Sequence, residues 1–279
     1  MFQADLLQDK RILVTGGGTG LGKAMGRRFL ELGARLIICG RRAEVLAEAK
    51  TEFDRDFAGR TACYPCDIRD AAAIEAMLDT IWEEHGGLDT LVNNAAGNFL
   101  AKTETLSPRA LDAVLGIVLH GTAYLTLACG KRWLAEGSAG NVLSILATYA
   151  WTGSGYVVPS AMAKAGVLAM TRSLAAEWGG RKIRLNAIAP GPFPTEGAWK
   201  RLVPNPEVEA RWLNKIPLGR VGEHQELGNL ASYLLAEQSA YINGEVVTID
   251  GGEWIKGAGQ FNIMEDLTDA EWDGMRERR

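Results

Sequence analysis

A short apolar run from Arg11 to Thr15 leads straight into Thr15-Gly-Gly-Gly-Thr-Gly-Leu-Gly22 and then into a helical pattern from Leu21 to Leu32, closed by Gly33. Few folds place a buried strand, a glycine turn and a helix in that order. Glycines at the mouth of such a helix let backbone N–H groups approach a pyrophosphate, which the positive end of the helix stabilises. A glycine turn alone says little, because any tight turn favours glycine; the strand before it and the helix after it give it meaning. Gly16, Thr19, Gly20, Leu21 and Gly22 are therefore the expected floor of a dinucleotide site.

The remainder of the chain repeats the alternation. Further strands are expected at Arg35–Cys39, Thr61–Pro65, Thr90–Asn93, Asn141–Ile145, Arg184–Ala189 and Val246–Asp250. Helices are expected at Arg42–Phe57, Ala71–His85, Ser107–Glu136 (with an interior Gly121) and Ser160–Trp178. Strands and helices in turn, joined by short connections, predict one α/β domain over 1–279. Its centre would be a Rossmann-like, doubly wound parallel sheet of about seven strands with helices on both faces. Two regions break the pattern: a proline-rich, lid-like segment at 190–218, and a tail at 253–279 that carries Trp254 and Trp272. The tail is expected to pack on the body or on a neighbouring subunit, and Val246–Ile249 to be an interface or an inner strand.

Composition narrows the partners. With 47% hydrophobic residues over 279 positions, the chain can bury a large core. A net charge of −4 gives no electrostatic case for nucleic acid or an anionic membrane surface. No apolar run reaches the roughly 18 residues expected of a membrane span. Only Met1 to Lys10 precede the first strand, with two aspartates among them, so a cytoplasmic location is the expectation. Cys63 and Cys66 form a Cys-x-x-Cys with no second pair to complete a metal site. They read as buried thiols, and no metal is expected. His85, His120 and His224 show no ligand spacing either.

The second strand ends Cys39-Gly40-Arg41-Arg42. A carboxylate there would hold a ribose 2′-hydroxyl and repel a 2′-phosphate. Gly40 removes the repulsion and Arg41 supplies a phosphate fork, so NADP (as NADPH) is expected rather than NAD. Asp67, after the third strand, is placed to accept from the adenine amine or simply to cap the next turn. Asn93-Asn94-Ala-Ala-Gly97 permits close passage of the cofactor, although its glycine also suits a turn.

These segments, with Ser160 four residues before Lys164 and Pro190-Gly-Pro-Phe-Pro-Thr195, resemble the short-chain dehydrogenase/reductase family over about 6–252. The resemblance is closer to the mitochondrial type of 2,4-dienoyl-CoA reductase. It rests on Asn93–Asn98, Tyr149-Ala-Trp-Thr-Gly-Ser-Gly155, Val158-Pro-Ser-Ala-Met-Ala-Lys164 and Ile242-Asn-Gly244. It implies that Lys164 holds the nicotinamide ribose, that Asn94, Pro190 and Thr195 line the cofactor, and that Thr195 meets the carboxamide side. It further implies that Asn98 and Tyr149 hydrogen-bond a thioester carbonyl with Ser160 nearby, and that the protein is a homotetramer. His120 departs from the family, which usually has an asparagine there supporting a water chain to the lysine.

The replacement at 160 decides the chemistry. In the wider family a tyrosine occupies that position, one helical turn from the lysine whose charge makes it acidic. A tyrosine starts near pKa 10, whereas an aliphatic hydroxyl is a far poorer acid. The usual catalytic serine falls on Ala147, so two members of the carbonyl-reducing set are missing together. Hydride addition to a conjugated acyl-CoA instead produces an enolate-type anion that needs donors, not an immediate acid. The resemblance implies hydride at the δ-carbon and a proton at the α-carbon, giving a 3-enoyl-CoA in fatty-acid β-oxidation. Three alternatives remain: a 2-enoyl-CoA reductase, a carbonyl reductase using Tyr149 or Tyr156 as a re-aimed acid, and an inactive NADP-binding sensor.

Each residue also has a plainer reading. Tyr149 would be a surface aromatic, Asn98 a turn residue, Ser160 a helix cap, Tyr156 a packing ring and His120 a satisfied helix-packing side chain. Lys200, Arg201, Arg211 and Lys215 flank the lid and would either meet CoA phosphates or be solvated.

Overall fold

The computed structural model describes residues 2–195, 203 and 205–276. Its seven strands are β1 (Arg11–Thr15), β2 (Arg35–Gly40), β3 (Thr61–Pro65), β4 (Thr90–Asn93), β5 (Gly140–Ile145), β6 (Ile183–Pro190) and β7 (Val246–Ile249). All pairings are parallel, in the order β3-β2-β1-β4-β5-β6-β7. The chain moves outward one way from β1 to β3 and the other way from β4 to β7. The strand tips therefore diverge between β1 and β4, where ligands enter folds of this kind. β7 pairs only with β6 and is the edge strand, which removes the inner-strand reading of Val246–Ile249.

Alternate residues of each strand face opposite sides and seed two cores. Ile12 and Val14 of β1 pack with Phe29, Leu46, Phe53, Leu227 and Leu234 on one face. Leu13 packs with Leu78, Ile81, Leu125, Trp133 and Trp178 on the other. The first face is covered by α1 (Gly20–Glu31), α2 (Ala43–Asp56) and the helix His224–Leu235. The second is covered by α3 (Ala71–His85), α5 (Thr122–Glu136) and α7 (Val158–Trp178). Trp133 is fully buried and its indole donates to the Leu88 carbonyl at 2.7 Å, which satisfies the ring's one polar atom. Truncating such a ring costs about 3–5 kcal/mol.

The expected helix Ser107–Glu136 is interrupted. It comprises α4 (Pro108–Leu115), one wide π turn (Gly116–Gly121) and α5. Gly121 allows the approach to the loop after β3, because a Cβ there would lie 2.7 Å from the Ile68 side chain. By length and composition Pro108–Glu136 could cross a membrane, contrary to the sequence expectation that no run is long enough. Half of its apolar window is buried inside the fold, and Leu125, Ala128, Cys129 and Trp133 belong to the core. A core helix needs the same composition.

Candidate active site

The strand tips open into a cleft of about 1010 Å³ whose lining includes Gly16, Arg41, Tyr149, Lys164 and Glu253. Its nucleotide end is built by backbone. Gly16 and Gly20 have φ of 65° and 53°, a region that disfavours side chains. A Cβ on Gly22 would lie 2.6 Å from the Gly16 carbonyl oxygen and 2.5 Å from the Asn94 amide. Thr15 ties the two diverging strands together: its hydroxyl accepts from the Asn94 and Ala95 amides at 2.9 and 2.8 Å. The Asn94 side chain donates to the Thr15 carbonyl at 2.9 Å. The result is a cradle without side chains at the N-terminus of α1. That is what a pyrophosphate requires, so the residues fit a nicotinamide dinucleotide.

Gly40, Arg41 and Asp67 line the adenine side of this cleft. Arg41 is exposed, with no hydrogen bond or ion pair among the described residues. Asp67 caps the turn after β3, its Oδ1 accepting from the Arg69 amide at 3.1 Å, while Asp70 caps α3, accepting from Ala72 and Ala73. Asp67 is also gripped by the Arg69 guanidinium, whose hydrogen bonds hold its carboxyl below the usual carboxylate range. Sequence reasoning passed over this pairing of Asp67 with Arg69, although the two residues lie only two apart.

At the reacting end, Lys164 is 7% exposed and donates to the Ile145 carbonyl of β5. Burial lowers its pKa from 10.5 to about 8. Ser160 lies one helical turn earlier and is 2% exposed. α7 starts at Val158, so Ser160 sits inside the first turn and is not the cap. Its hydroxyl shares a 3.0 Å hydrogen bond with the phenol of Tyr149. Tyr149 opens a one-turn helix, α6 (Tyr149–Thr152), and is half-buried rather than a surface aromatic. Burial raises its pKa, so the phenol stays neutral and keeps its O–H. Asn98 accepts from the Phe99 amide at 2.9 Å through Oδ1, and no partner among the described residues takes its side-chain N–H groups. Asn98, Ala147, Tyr149, Ser160 and Lys164 all line the one cleft.

Pro190 and Thr195 border the same space, and a Cβ on Gly20 would meet Thr195 at 3.3 Å. His224 contacts the Pro194 carbonyl at 2.7 Å and so anchors this segment. Of the lid cations, Arg211 and Lys215 line the cleft, while Lys200 and Arg201 fall outside the described residues. Two expectations are corrected. Tyr156 is not a packing ring: it is 64% exposed at the cleft, with φ of 66°. His120 is not satisfied within helix packing: it is exposed and stacked on Tyr124 at 6.0 Å. It is not among the residues that line the cleft. Cys66 is buried, with its thiol pushed up to about 11 by burial, and Cys63 is half-buried; both are free thiols. Sequence reasoning missed Trp212 and Glu253, which line the lid side. No local pattern pairs residues 41 apart.

A family model described as enoyl-(acyl carrier protein) reductase matches residues 16–253. A protein of Bacillus subtilis (strain 168) named probable 2,4-dienoyl-CoA reductase, (2E)-enoyl-CoA-producing, is 43% identical over 250 residues. That alignment covers 89% of this chain and 98% of the relative. A peroxisomal 2,4-dienoyl-CoA reductase of Arabidopsis thaliana, named as (3E)-enoyl-CoA-producing, is 36% identical over 91% of this chain and 87% of its own. Among solved structures, a short chain dehydrogenase from Bacillus anthracis superposes with a TM-score of 0.81 at 44% identity, covering 88% of this chain and 96% of that one. A gluconate 5-dehydrogenase from Burkholderia cenocepacia, in complex with NADP and tartrate, superposes with a TM-score of 0.84 at 28% identity, over 90% and 98% of the two chains.

Proposed function

The chain belongs to the short-chain dehydrogenase/reductase family of oxidoreductases, and on that premise we propose that it reduces a 2,4-dienoyl-CoA with NADPH. One observation carries the reading. The phenol of the site has left the position beside Lys164 and stands on α6, held 3.0 Å from the Ser160 hydroxyl that took its place. The names of the relatives point to the same reaction.

Bound NADPH supplies the hydride, delivered to the δ-carbon of the conjugated acyl group. Lys164 holds the nicotinamide ribose, and Arg41 the 2′-phosphate. The negative charge that develops spreads onto the thioester oxygen. There Asn98 donates an amide N–H and Tyr149 its O–H. Ser160 accepts or donates to fix the rotation of the phenol. A phenol kept neutral by burial is suited to this task and unsuited to proton delivery.

The α-carbon carries the most charge in such an anion, so water protonates it there and the product is a 3-enoyl-CoA. The relatives' names divide on this point, and protonation at the γ-carbon would give the 2-enoyl product instead. The half-buried edge strand β7 supports assembly into a homo-oligomer, which we take to be a tetramer.

The test is NADPH consumption by purified protein with a 2,4-dienoyl-CoA, a 2-enoyl-CoA and a simple ketone, followed by chromatography of the products. Turnover of the dienoyl thioester to a 3-enoyl product is expected. Turnover of the ketone alone would overturn the reading, and a 2-enoyl product would overturn the proton placement.

A further inference from the structure

Four side chains, two of them lining the cleft, form a connected chain that the proposed reaction does not yet use. Trp212, on the helix Pro206–Leu213, donates through its indole N–H to Glu253 Oε1 at 2.6 Å. Glu253 opens the helix Glu253–Ala258, and its neighbour Trp254 meets Trp151 edge to face at 5.7 Å and 87°. Trp151 lies on α6, two residues after Tyr149. The lid helix is thereby connected, through two consecutive residues of one helix, to the single turn that aims the phenol.

The connection is anchored at its base. Asp250 accepts from the Gly252 and Trp254 amides at 2.9 Å, fixing the turn from β7 into this helix. Glu253 is half-buried, and burial raises its pKa, with the nearby Asp250 adding to the shift. A half-buried carboxyl is costly unless it is hydrogen-bonded, and the indole of Trp212 supplies that partner. α6 itself has only one turn, too short to hold its own geometry. What packs on it sets where Tyr149 points.

We infer that Glu253 and Trp254 are positioning residues, a clasp through which the seating of the lid helix over bound substrate orients Tyr149 toward the thioester oxygen. The inference rests on the reduction proposed above. It assigns the helix Glu253–Ala258 a part in transition-state geometry rather than in nucleotide binding.

The test compares Glu253→Gln, Glu253→Leu, Trp212→Phe and Trp254→Leu, each singly, with the double variant Trp212→Phe/Trp254→Leu. With a 2,4-dienoyl-CoA, Glu253→Leu and Trp254→Leu should lower kcat about 10- to 100-fold, the order that misplacing a catalytic group costs. NADPH affinity, read by fluorescence without substrate, should stay unchanged. Glu253→Gln keeps an acceptor for the indole and should retain near-parental kcat. The double variant should lose no more than the worse single, because both break one connection.

Multiplying losses, or equal loss in Glu253→Gln and Glu253→Leu, would overturn the clasp. Hydrogen exchange separates its failure from that of the reaction. In the unliganded protein, Trp212→Phe should speed exchange of the amides at 149–153 even if no dienoyl thioester is turned over. Unchanged exchange there overturns the inference by itself.

Discussion

Replacing Tyr149 by phenylalanine removes one hydroxyl and leaves the ring, so it tests the displaced phenol with little disturbance to packing. Among the described residues that hydroxyl has one hydrogen-bond partner, Ser160 at 3.0 Å, and Lys164 donates to the Ile145 carbonyl instead. If it donates to the thioester oxygen as charge develops, its loss costs roughly 3–4 kcal/mol of barrier, or about 10²–10³ in kcat. Ser160→Ala removes only the hydrogen bond that orients the phenol. An ordinary hydrogen bond contributes about 0.5–1.5 kcal/mol, so kcat should fall by roughly 2- to 12-fold. The assay is steady-state NADPH oxidation with a 2,4-dienoyl-CoA, beside NADPH binding by fluorescence titration. Nucleotide affinity should be unchanged in both variants, since neither side chain belongs to the backbone cradle. Burial raises the Tyr149 pKa, so the wild-type rate should show no alkaline limb from this phenol below about pH 10. Equal losses in kcat and nucleotide affinity for Tyr149→Phe would refute the argument, because they would make the ring a scaffold.

Lys164 has a folded-state pKa of about 8 against 10.5 for the ordinary side chain, so between those values the unfolded chain holds a proton the folded chain lacks. Without ligand, stability should therefore rise with pH through that window, by roughly 3 kcal/mol at most relative to Lys164→Met. Denaturant titrations of the two proteins across the window check this, and parallel curves would contradict it. Arg41→Ala should weaken NADPH binding far more than NADH binding, as read by titration with each; equal losses would remove the phosphate fork. Gly22→Ala should abolish nucleotide binding while leaving most of the fold intact, because its methyl would lie 2.6 Å from the Gly16 carbonyl oxygen. Circular dichroism together with NADPH titration separates the two effects.

Much of the scaffold is legible in the sequence because it is local. β1, β3, β4 and α3 start and stop where apolar runs meet glycine, proline or an aspartate cap. The helix His224–Leu235 escapes that reading even though its signals are present. Leu227, Ala231 and Leu234 recur at helical spacing, and Glu223 with Glu226 forms a capping box. The π turn in the Pro108–Glu136 stretch is not legible, since it answers to the packing of Gly121 on Ile68 rather than to propensity. At the site, Ser160 and Lys164 show as one helical face, but the phenol that meets Ser160 comes from another element eleven residues earlier. Only the family resemblance suggests it. The contact of Trp212 with Glu253 depends on how the lid lies over the end of β7, and no periodicity encodes that.

The stitching of β1 to β4 by the Thr15 hydroxyl has a practical consequence. Because the dinucleotide floor is tied down before any ligand arrives, it has little ordering entropy left to lose and should load quickly in a single kinetic phase. In the proposed reaction the acyl chain would lie against other segments that line the cleft, around Asn98, Tyr156 and the Pro206–Leu213 helix. Chain-length preference can therefore be retuned there, by design or by drift, while the grip on the coenzyme stays as it is.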